Sequence, residues 1–323
     1  MGEGPSAPTQ LALQVDGFTE GALIIGAPPA DFEYLSGASR FFSFLQQPGA
    51  ECGLAPALGE EPRVLLYLPK GKRRRDYAFA LAAERLAQTG TLAVVGERNG
   101  GIKAARKALR RYFKDVHVRS VGNHCQLLTA HGALSGAVDM SEWRSQSRLE
   151  LGFDIYGYPG TFSEGRLDEG TQRLLQVLEL PAQGKLLDLA SGCGVIGVWA
   201  KKKQPGLAVT LSDIDHLSIA ASKETAAGAE AEVECIAADG IPAGRTFDVI
   251  VTNPPFHQGV QTEYETTERF LSDVPKALNP GGRFWLVANN FLPYEGWLKD
   301  NFADRVAKRF EDKRFKVYEA WAP

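Results

Sequence analysis

Four polar motifs follow four predicted β-strands in the second half of the chain. Asp188 opens a glycine-containing loop, Asp213 and Asp239 end the next two strands, and Asn253 begins an Asn-Pro-Pro-Phe string after the fourth. The carboxyl ends of parallel strands meet at one edge of a sheet, where α/β proteins bind their ligands. We therefore expect these four side chains to share one crevice.

The loop and the three acids suit a nucleoside that carries a cationic amino-acid group. Gly192 and Gly194 permit a tight turn and a close approach of ligand to backbone at a helix N-terminus. The carboxylate of Asp188 favours an amino-acid ligand over a pyrophosphate. Asp213 is placed to accept hydrogen bonds from two ribose hydroxyls, and Asp239 to reach an adenine amino group. Alternatively, the first two acids are solvated strand-end residues and Asp239 is a helix cap.

The string Asn253, Pro254, Pro255 and Phe256 suits chemistry on a planar amine. The prolines fix the backbone and leave their carbonyls as acceptors. The asparagine oxygen and a neighbouring carbonyl can hold both hydrogens of an amino group, which aims its nitrogen lone pair at an electrophile, while Phe256 offers a face for stacking. The alternative is a rigid turn. His257 either donates to the base or a phosphate or is an ordinary loop histidine.

The elements that must position these residues form two α/β patterns. In the first half, strands and helices alternate from Arg63, and their β-α-β-α-β order predicts a parallel sheet in which no glycine-rich loop follows the first strand. In the second half, alternation resumes at Leu167, and two closely spaced strands, Arg305–Phe310 and Phe315–Ala320, predict an antiparallel edge hairpin. We predict domains at residues 1–135 and 166–323, joined by a linker at 136–165.

Composition bounds the class of protein. A chain of 323 residues with 44% apolar residues suits two folded domains and excludes bulk disorder. The four cysteines are scattered without metal-ligand spacing, so we expect neither disulfides nor a metal site. The N-terminus lacks a signal peptide pattern and no window predicts a membrane helix, which favours a cytoplasmic protein.

The net charge of −3 conceals a basic segment, because residues 63–119 alone carry a net +11. A solvated surface is the ordinary explanation for such charge, whereas two basic groups close together favour contact with RNA phosphates. One group precedes a helix, and the other recurs at helical spacing after Gly101. The residues predicted to contact RNA are Lys70, Lys72, Arg73, Arg74, Arg75, Lys103, Arg106, Lys107 and Arg110.

Together these residues resemble the class I S-adenosylmethionine-dependent methyltransferases, in the branch that methylates exocyclic amines of bases or side-chain amides. The resemblance implies that Asp188, Gly192 and Gly194 line the methionine end, Asp213 binds ribose and Asp239 contacts adenine. The family usually has glycine where Ala190 stands, and alanine fits there if its φ is negative. The other residues implied at the cofactor site are Phe162, Ala190, Ile214, Ala238 and Asn253.

A closer resemblance extends over the whole chain. The strings from Asn253 to Thr262 and from Val287 to Tyr294, with Arg314-Phe-Lys-Val-Tyr318, resemble the bacterial 16S rRNA guanine-N2 methyltransferase family. It implies two Rossmann-like methyltransferase domains, the N-terminal one degenerate and RNA-docking. It also implies S-adenosyl-L-methionine as cofactor and rRNA or the small ribosomal subunit as partner, with a monomer expected.

Three alternatives stay open at this point. Large-subunit rRNA guanine-N2 methyltransferases share the two-domain plan and the Asn-Pro-Pro-Phe-His-Gln string. A protein-glutamine methyltransferase could use the same loop, although that family normally has tyrosine at the position of Phe256. A non-catalytic RNA-binding assembly factor with a relic cofactor site would explain Ala190.

Overall fold

The chain folds into two compact units, Met1–Trp143 and Arg144–Pro323. This computed structural model describes residues 4–15, 19–134, 136, 138–254 and 271–322. Within those residues, no helix has both the length and the apolar character that a membrane crossing requires.

The first unit is built on a seven-stranded sheet with the strand order β3-β2-β1-β4-β5-β7-β6. Its strands are β1 Leu23–Ile25, β2 Arg40–Ser43, β3 Glu51–Cys52, β4 Glu61–Tyr67, β5 Leu86–Glu97, β6 Phe113–Gly122 and β7 Cys125–Ala133. Its helices are α1 Ala7–Leu13, α2 Lys72–Arg85, α3 Ile102–Leu109 and α4 Met140–Trp143, with a 3₁₀ helix at Pro29–Leu35.

The prediction of a parallel sheet in this unit is wrong for its last two strands. β7 pairs antiparallel with both β5 and β6. Only Asn123 and His124 separate β6 from β7. A connection that short can join antiparallel neighbours, whereas a parallel pair needs a crossover of about a dozen residues.

The second unit repeats this topology, with the strand order β12-β11-β10-β13-β14-β16-β15. Its strands are the small antiparallel pair β8 Ser145–Arg148 and β9 Asp154–Gly157, then β10 Gln183–Leu189, β11 Gly206–Asp213, β12 Glu234–Ala237, β13 Phe247–Thr252, β14 Leu278–Asn289, β15 Val306–Glu311 and β16 Phe315–Trp321. Its helices are α5 Glu169–Val177, α6 Val195–Lys203, α7 His216–Gly228, α8 Val274–Ala277 and α9 Tyr294–Asn301, with a 3₁₀ turn at Phe162–Glu164.

Parallel strands form the centre of the second sheet, and its edge is antiparallel. β10, β11, β12 and β13 are mutually parallel, while β16 pairs antiparallel with β14 and β15. The predicted edge hairpin is therefore confirmed, as is the α/β fold class. The central strands read as unbroken apolar runs because both of their faces are covered, and Leu186, Leu187 and Ile250 are fully buried.

Candidate active site

The residues predicted for the active site lie at or just after the carboxyl ends of neighbouring strands, and these strand ends are paired with one another. Leu189 of β10 pairs with Ser212 of β11 and with Thr252 of β13, and Asp213 pairs with Ala237. The carboxyl edge of the sheet therefore brings the glycine loop, Asp213, the Ala238–Asp239 turn and Asn253 to one side of the molecule. The side chains of Ile214 and Ala238 there are half-buried, and Asp239 is exposed.

The loop after β10 has the conformation that glycine permits. Gly192 and Gly194 have φ of 55° and 78°. A Cβ on Gly194 would lie 2.7 Å from Leu211 Cδ2 and 2.9 Å from Ser222 Oγ, so a side chain there would push α6 away from its neighbours. The glycine therefore allows α6 to begin in close contact with Leu211 of β11 and Ser222 of α7.

Ala190 departs from the expectation of a negative φ, because its φ is 58°. The chain enters the loop in a left-handed conformation that costs a residue with a Cβ about 1–2 kcal/mol. Ala190 therefore holds a left-handed φ with a Cβ present, so the departure from the family pattern introduces strain at the start of the loop.

Asp213 holds the loop by accepting two backbone hydrogen bonds. Its Oδ2 accepts from the N–H of Gly192 at 2.9 Å and its Oδ1 accepts from the N–H of Asp215 at 2.9 Å. These two N–H groups fix the orientation of the carboxylate at the end of the strand. This arrangement suits the predicted ribose contact.

Asp188 is fully buried at the end of β10. Its Oδ2 accepts a hydrogen bond from the N–H of Gly197 at 2.8 Å, whereas its Oδ1 has no partner among the described residues. Burial, opposed by the Gly197 bond and reinforced by the charge of Asp213, raises the pKa of Asp188 to about 7. A buried carboxyl oxygen without a partner leaves one acceptor for a cationic group at this end of the loop.

Asn253 follows β13, and its side-chain amide is anchored. Its Nδ2 donates to Asp168 Oδ2 at 2.9 Å and to Thr171 Oγ1 at 2.9 Å. Pro254 is buried beside it. Pro255, Phe256 and His257 lie outside the described residues, so their predicted roles stay predictions.

A small cleft lies between Asn253, the start of α5 and the first residues of the glycine loop, Ala190 and Ser191. Phe162 stands at its wall with 46% of its surface exposed, close to the Gly192 backbone. The Cys193 thiol in the same wall is buried, which raises its pKa and keeps it in the neutral, non-nucleophilic form. The lining residues are Phe162, Ser163, Arg166, Asp168, Thr171, Ala190, Ser191, Cys193, Val195, Ile196 and Asn253.

Sequence reasoning did not assign a role to Asp168 and Thr171. Asp168 is the N-cap of α5 and accepts the N–H of Thr171 at 2.9 Å. The spacing Asp-x-x-Thr at the start of a predicted helix is a recognisable cap pattern. Nothing in that pattern indicates that the same two side chains bind Asn253, which is 85 residues from Asp168.

The basic residues of the first unit separate into a structural group and an exposed group. Arg74 is only 8% exposed and lies over the ring of Phe44, and Arg75 pairs with Asp76 at 2.8 Å. Arg73 donates to the carbonyl of Trp143 at 2.6 Å. The expectation that Arg74 and Arg75 face RNA is therefore corrected, because α2 begins at Lys72 and its first turn packs into the unit.

Lys70, Lys72 and the basic residues of α3 are exposed. On α3, Ile102, Ala105 and Leu109 are buried against the sheet, so the opposite face carries the charge. Among the described residues, none of these α3 side chains forms an ion pair. We call the three basic residues of α3 and the residue that caps its end the α3 basic face: Lys103, Arg106, Lys107 and Arg110.

The donor set of the site suits an organic ligand. In the part of the chain that the structure describes, no group of three or more histidine, cysteine or acidic side chains is arranged to hold a metal ion. The four cysteines are free.

Comparison with known proteins assigns both halves of the chain. Residues 152–319 match the family model "Methyltransferase small domain", and residues 52–147 match "Methyltransferase small domain N-terminal". A ribosomal RNA small subunit methyltransferase C of Hahella chejuensis is 32% identical, covering 98% of each chain. One from Pseudomonas aeruginosa is 41% identical over 79% of this chain and 78% of its own length.

A solved structure has the same fold along nearly the whole chain. It is a T. thermophilus 16S rRNA N2 methyltransferase in complex with AdoMet and guanosine, with a TM-score of 0.84 and 22% identity. The match covers 98% of this chain and 92% of that one. The two units described above are therefore both parts of a recurring architecture.

Proposed function

The chain belongs to the ribosomal RNA small subunit methyltransferase C family, and from that premise we propose that it transfers a methyl group from S-adenosylmethionine to the exocyclic N2 of a guanine in 16S rRNA. The anchored amide of Asn253 carries the proposal. Both of its hydrogens are donated to protein groups, so Oδ1 is the atom left to accept a hydrogen from a substrate amine.

The residues present fit the cofactor. The glycine loop leads into the N-terminus of α6, Asp213 offers an oriented carboxylate for the ribose, and Asp188 leaves one buried acceptor oxygen at the methionine end. Phe162 and Ala190 line the adjoining cleft. Asp239 is placed at the next strand end for the adenine, with Ile214 and Ala238 beside it.

The chemistry requires positioning rather than a covalent enzyme intermediate. When bound, S-adenosylmethionine supplies an electrophilic methyl group whose bond to sulfur breaks with its electron pair as the guanine N2 lone pair forms the new bond. Asn253 Oδ1 and the Pro254 carbonyl hold the two amine hydrogens, which keeps the lone pair directed at the methyl carbon. One N2 proton then leaves to solvent. A base in structured RNA must be turned out of its stack to reach this pocket.

We propose that the first unit docks RNA through the α3 basic face. Three cations of α3 and its C-cap residue Arg110 follow the spacing i, i+3, i+4 and i+7 and form a single charged stripe, which suits successive phosphates. Our predicted division gives residues 1–135 the docking role and residues 166–323 the catalytic role. Of the predicted linker, the β8–β9 hairpin is folded within the second unit.

The same proposal assigns the cellular context. An enzyme that acts on 16S rRNA works in the cytoplasm, with rRNA or the small ribosomal subunit as its partner, and we expect the chain to act as a monomer. The curated relatives are named for the small subunit, which favours it over the large-subunit alternative.

Methyl transfer followed by nucleoside analysis tests the function. Purified protein and tritiated S-adenosylmethionine are incubated with 16S rRNA, and separately with 23S rRNA, from a strain that lacks the corresponding gene. We expect N2-methylguanosine in the 16S sample. Label only in 23S rRNA would support the large-subunit alternative. Label in protein glutamine, when an extract of the same strain replaces the rRNA, would support the protein-methyltransferase alternative. Cofactor binding without any transfer would support the assembly-factor alternative.

A further inference from the structure

The side-chain amide of Asn253 is held by two acceptors from the start of one helix. Asp168 caps α5 and accepts both the Thr171 N–H and one Asn253 amide hydrogen through the same Oδ2, each at 2.9 Å. The Thr171 hydroxyl, on a side chain that is nearly buried, accepts the other amide hydrogen at 2.9 Å. The amide therefore has one orientation that satisfies both neighbours.

We propose that Asp168 and Thr171 are positioning residues for methyl transfer, acting through Asn253; this inference rests on the function proposed above. An asparagine amide that is not anchored can turn over and present its NH₂ group, which cannot accept a hydrogen from a substrate amine. Two acceptors on the NH₂ side exclude that orientation. Oδ1 is then the end available to the substrate.

The charge of Asp168 adds a second effect. A hydrogen bond to a carboxylate is stronger than one to a neutral oxygen and polarises the amide, which increases the negative charge on Asn253 Oδ1. The attacking amine gains positive charge as the new N–C bond forms. A more negative acceptor therefore stabilises the transition state more than the bound substrate, which is the condition for a faster chemical step.

The rival explanation is that Asp168 and Thr171 only tie a helix to the sheet. The first unit has a comparable tie, in which Thr9 of α1 shares a hydrogen bond with the Tyr67 hydroxyl at the end of β4, at 2.6 Å. A mechanical tie would affect folding and cofactor binding. It would not act specifically on the rate of transfer.

Four single variants separate these explanations. Asp168→Ser keeps a good helix cap but is too short to reach Asn253, whereas Asp168→Asn keeps an acceptor oxygen and removes the charge. Thr171→Val removes the hydroxyl at similar volume, and Thr171→Ser retains it. Under single-turnover conditions with 16S rRNA, we expect the rate of methyl transfer to fall about 100-fold in Asp168→Ser. We expect a fall of about 10-fold in Asp168→Asn and in Thr171→Val, and of less than about 2-fold in Thr171→Ser. Cofactor affinity should stay within about 2-fold in all four.

Exchanging the side chains of Asp168 and Asn253 tests the contact in a second way, because recovery of methyl transfer in the double variant is not explained by helix capping. Asn253→Asp places two carboxylates in contact and loses the donor to Asp168. Adding Asp168→Asn restores a donor toward the new carboxylate, although the NH₂ group at that position can no longer accept the Thr171 N–H. We expect the double variant to transfer methyl at least about 10-fold faster than Asn253→Asp alone.

The outcomes are distinct. The positioning role is overturned if the wild type labels 16S rRNA and Asp168→Ser labels it at the same rate. It is also overturned if the loss in Asp168→Ser is matched by an equal loss of cofactor affinity. Absence of label with the wild-type protein counts instead against the proposed function. The anchoring itself can then be measured without RNA. Hydrogen exchange of the Asn253 side-chain amide should be slow in the wild type and fast in Asp168→Ser.

Discussion

Gly192 donates its backbone N–H to Oδ2 of Asp213 at 2.9 Å, so the glycine loop after β10 is tied to the carboxyl end of β11. The residue expected to bind the ribose thus also shapes the loop expected to bind the methionine end. Loss of the carboxylate should affect both parts of the cofactor site together.

Asp213→Ala should weaken S-adenosylmethionine binding by about 10- to 100-fold, because charge-assisted hydrogen bonds contribute about 1.5–3 kcal/mol. Asp248→Ala is the matched control. Asp248 also accepts a backbone hydrogen bond, from the Lys185 N–H at 2.7 Å, and one from Asn279 Nδ2 at 2.8 Å, but it lies away from the carboxyl edge. Calorimetry and thermal unfolding should show both variants destabilised and only Asp213→Ala impaired in cofactor binding. Equal cofactor affinity in the two would contradict the assignment.

Asn253→Ala should reduce methyl transfer by at least about 100-fold, because it removes an acceptor that acts on the reacting amine. Cofactor affinity should fall much less than the rate of transfer, since the hydrogen bonds of the Asn253 amide run to α5 and not to the glycine loop. Asn279→Ala, which removes an amide at the opposite edge of the sheet, serves as control. Single-turnover labelling of 16S rRNA measures the effect, and wild-type turnover in Asn253→Ala would exclude a role in catalysis.

The sequence predicted the positions of the site acids because strand ends are visible in it. Apolar runs that stop at Asp188 and Asp213 mark both the strand and its carboxyl end, and parallel strands then bring the two residues together. The contact between Asp168 and Asn253 was not predictable in this way. It depends on how α5 packs against the sheet, and a cap pattern has the same appearance whether or not it also binds a distant side chain.

Charge composition was a poor guide to exposure. Arg74 and Arg75 counted toward the basic segment, but the start of α2 at Lys72 turns them toward Phe44 and Asp76. The burial of an arginine depends on tertiary partners that a charge count does not contain. The α3 residues were predictable because apolar residues at helical spacing define the buried face, which leaves the cations on the other.

The buried carboxyl of Asp188 should make stability fall as pH rises. Its pKa is about 7 in the fold, against about 3.9 in an unfolded chain, so the folded state binds the extra proton between these values. The unfolding free energy contributed by this group is therefore highest below pH 4, decreases toward pH 7 and is constant above it. Asp188→Asn lacks this titration.

Urea unfolding of the wild type and Asp188→Asn across pH 4.5 to 8 isolates the effect. The stability of the wild type relative to the variant should fall by a few kcal/mol over that range. Groups with lowered pKa, such as Asp248, contribute in both proteins and cancel in the difference. A difference that stays flat, or that rises with pH, would show that Asp188 is ionised throughout.

Ala190→Gly should stabilise the protein. The left-handed φ of 58° costs alanine about 1–2 kcal/mol, which glycine avoids. Glycine is also freer in the unfolded chain, which lowers stability by about 0.5–1 kcal/mol, so the net gain in unfolding free energy is about 0.5–1 kcal/mol. Glu230→Gly is the control, because Glu230 has a φ of 52° on an exposed turn. Chemical denaturation should show similar gains in both variants, with cofactor affinity retained. A loss of stability in Ala190→Gly alone would mean that packing of the Ala190 methyl group contributes more to the unfolding free energy than the backbone strain costs.

Removing two charges from the α3 basic face should weaken RNA binding uniformly and reduce its salt dependence. Lys103→Gln with Lys107→Gln deletes two exposed cations, so the slope of log affinity against log salt concentration should fall by about 2 if each meets a phosphate. Lys185→Gln with Lys276→Gln removes the same charge from exposed positions near the starts of β10 and β14. Titration of 16S rRNA at several salt concentrations compares the pairs. If the α3 pair and the control pair give the same slope as the wild type, the α3 basic face does not dock RNA.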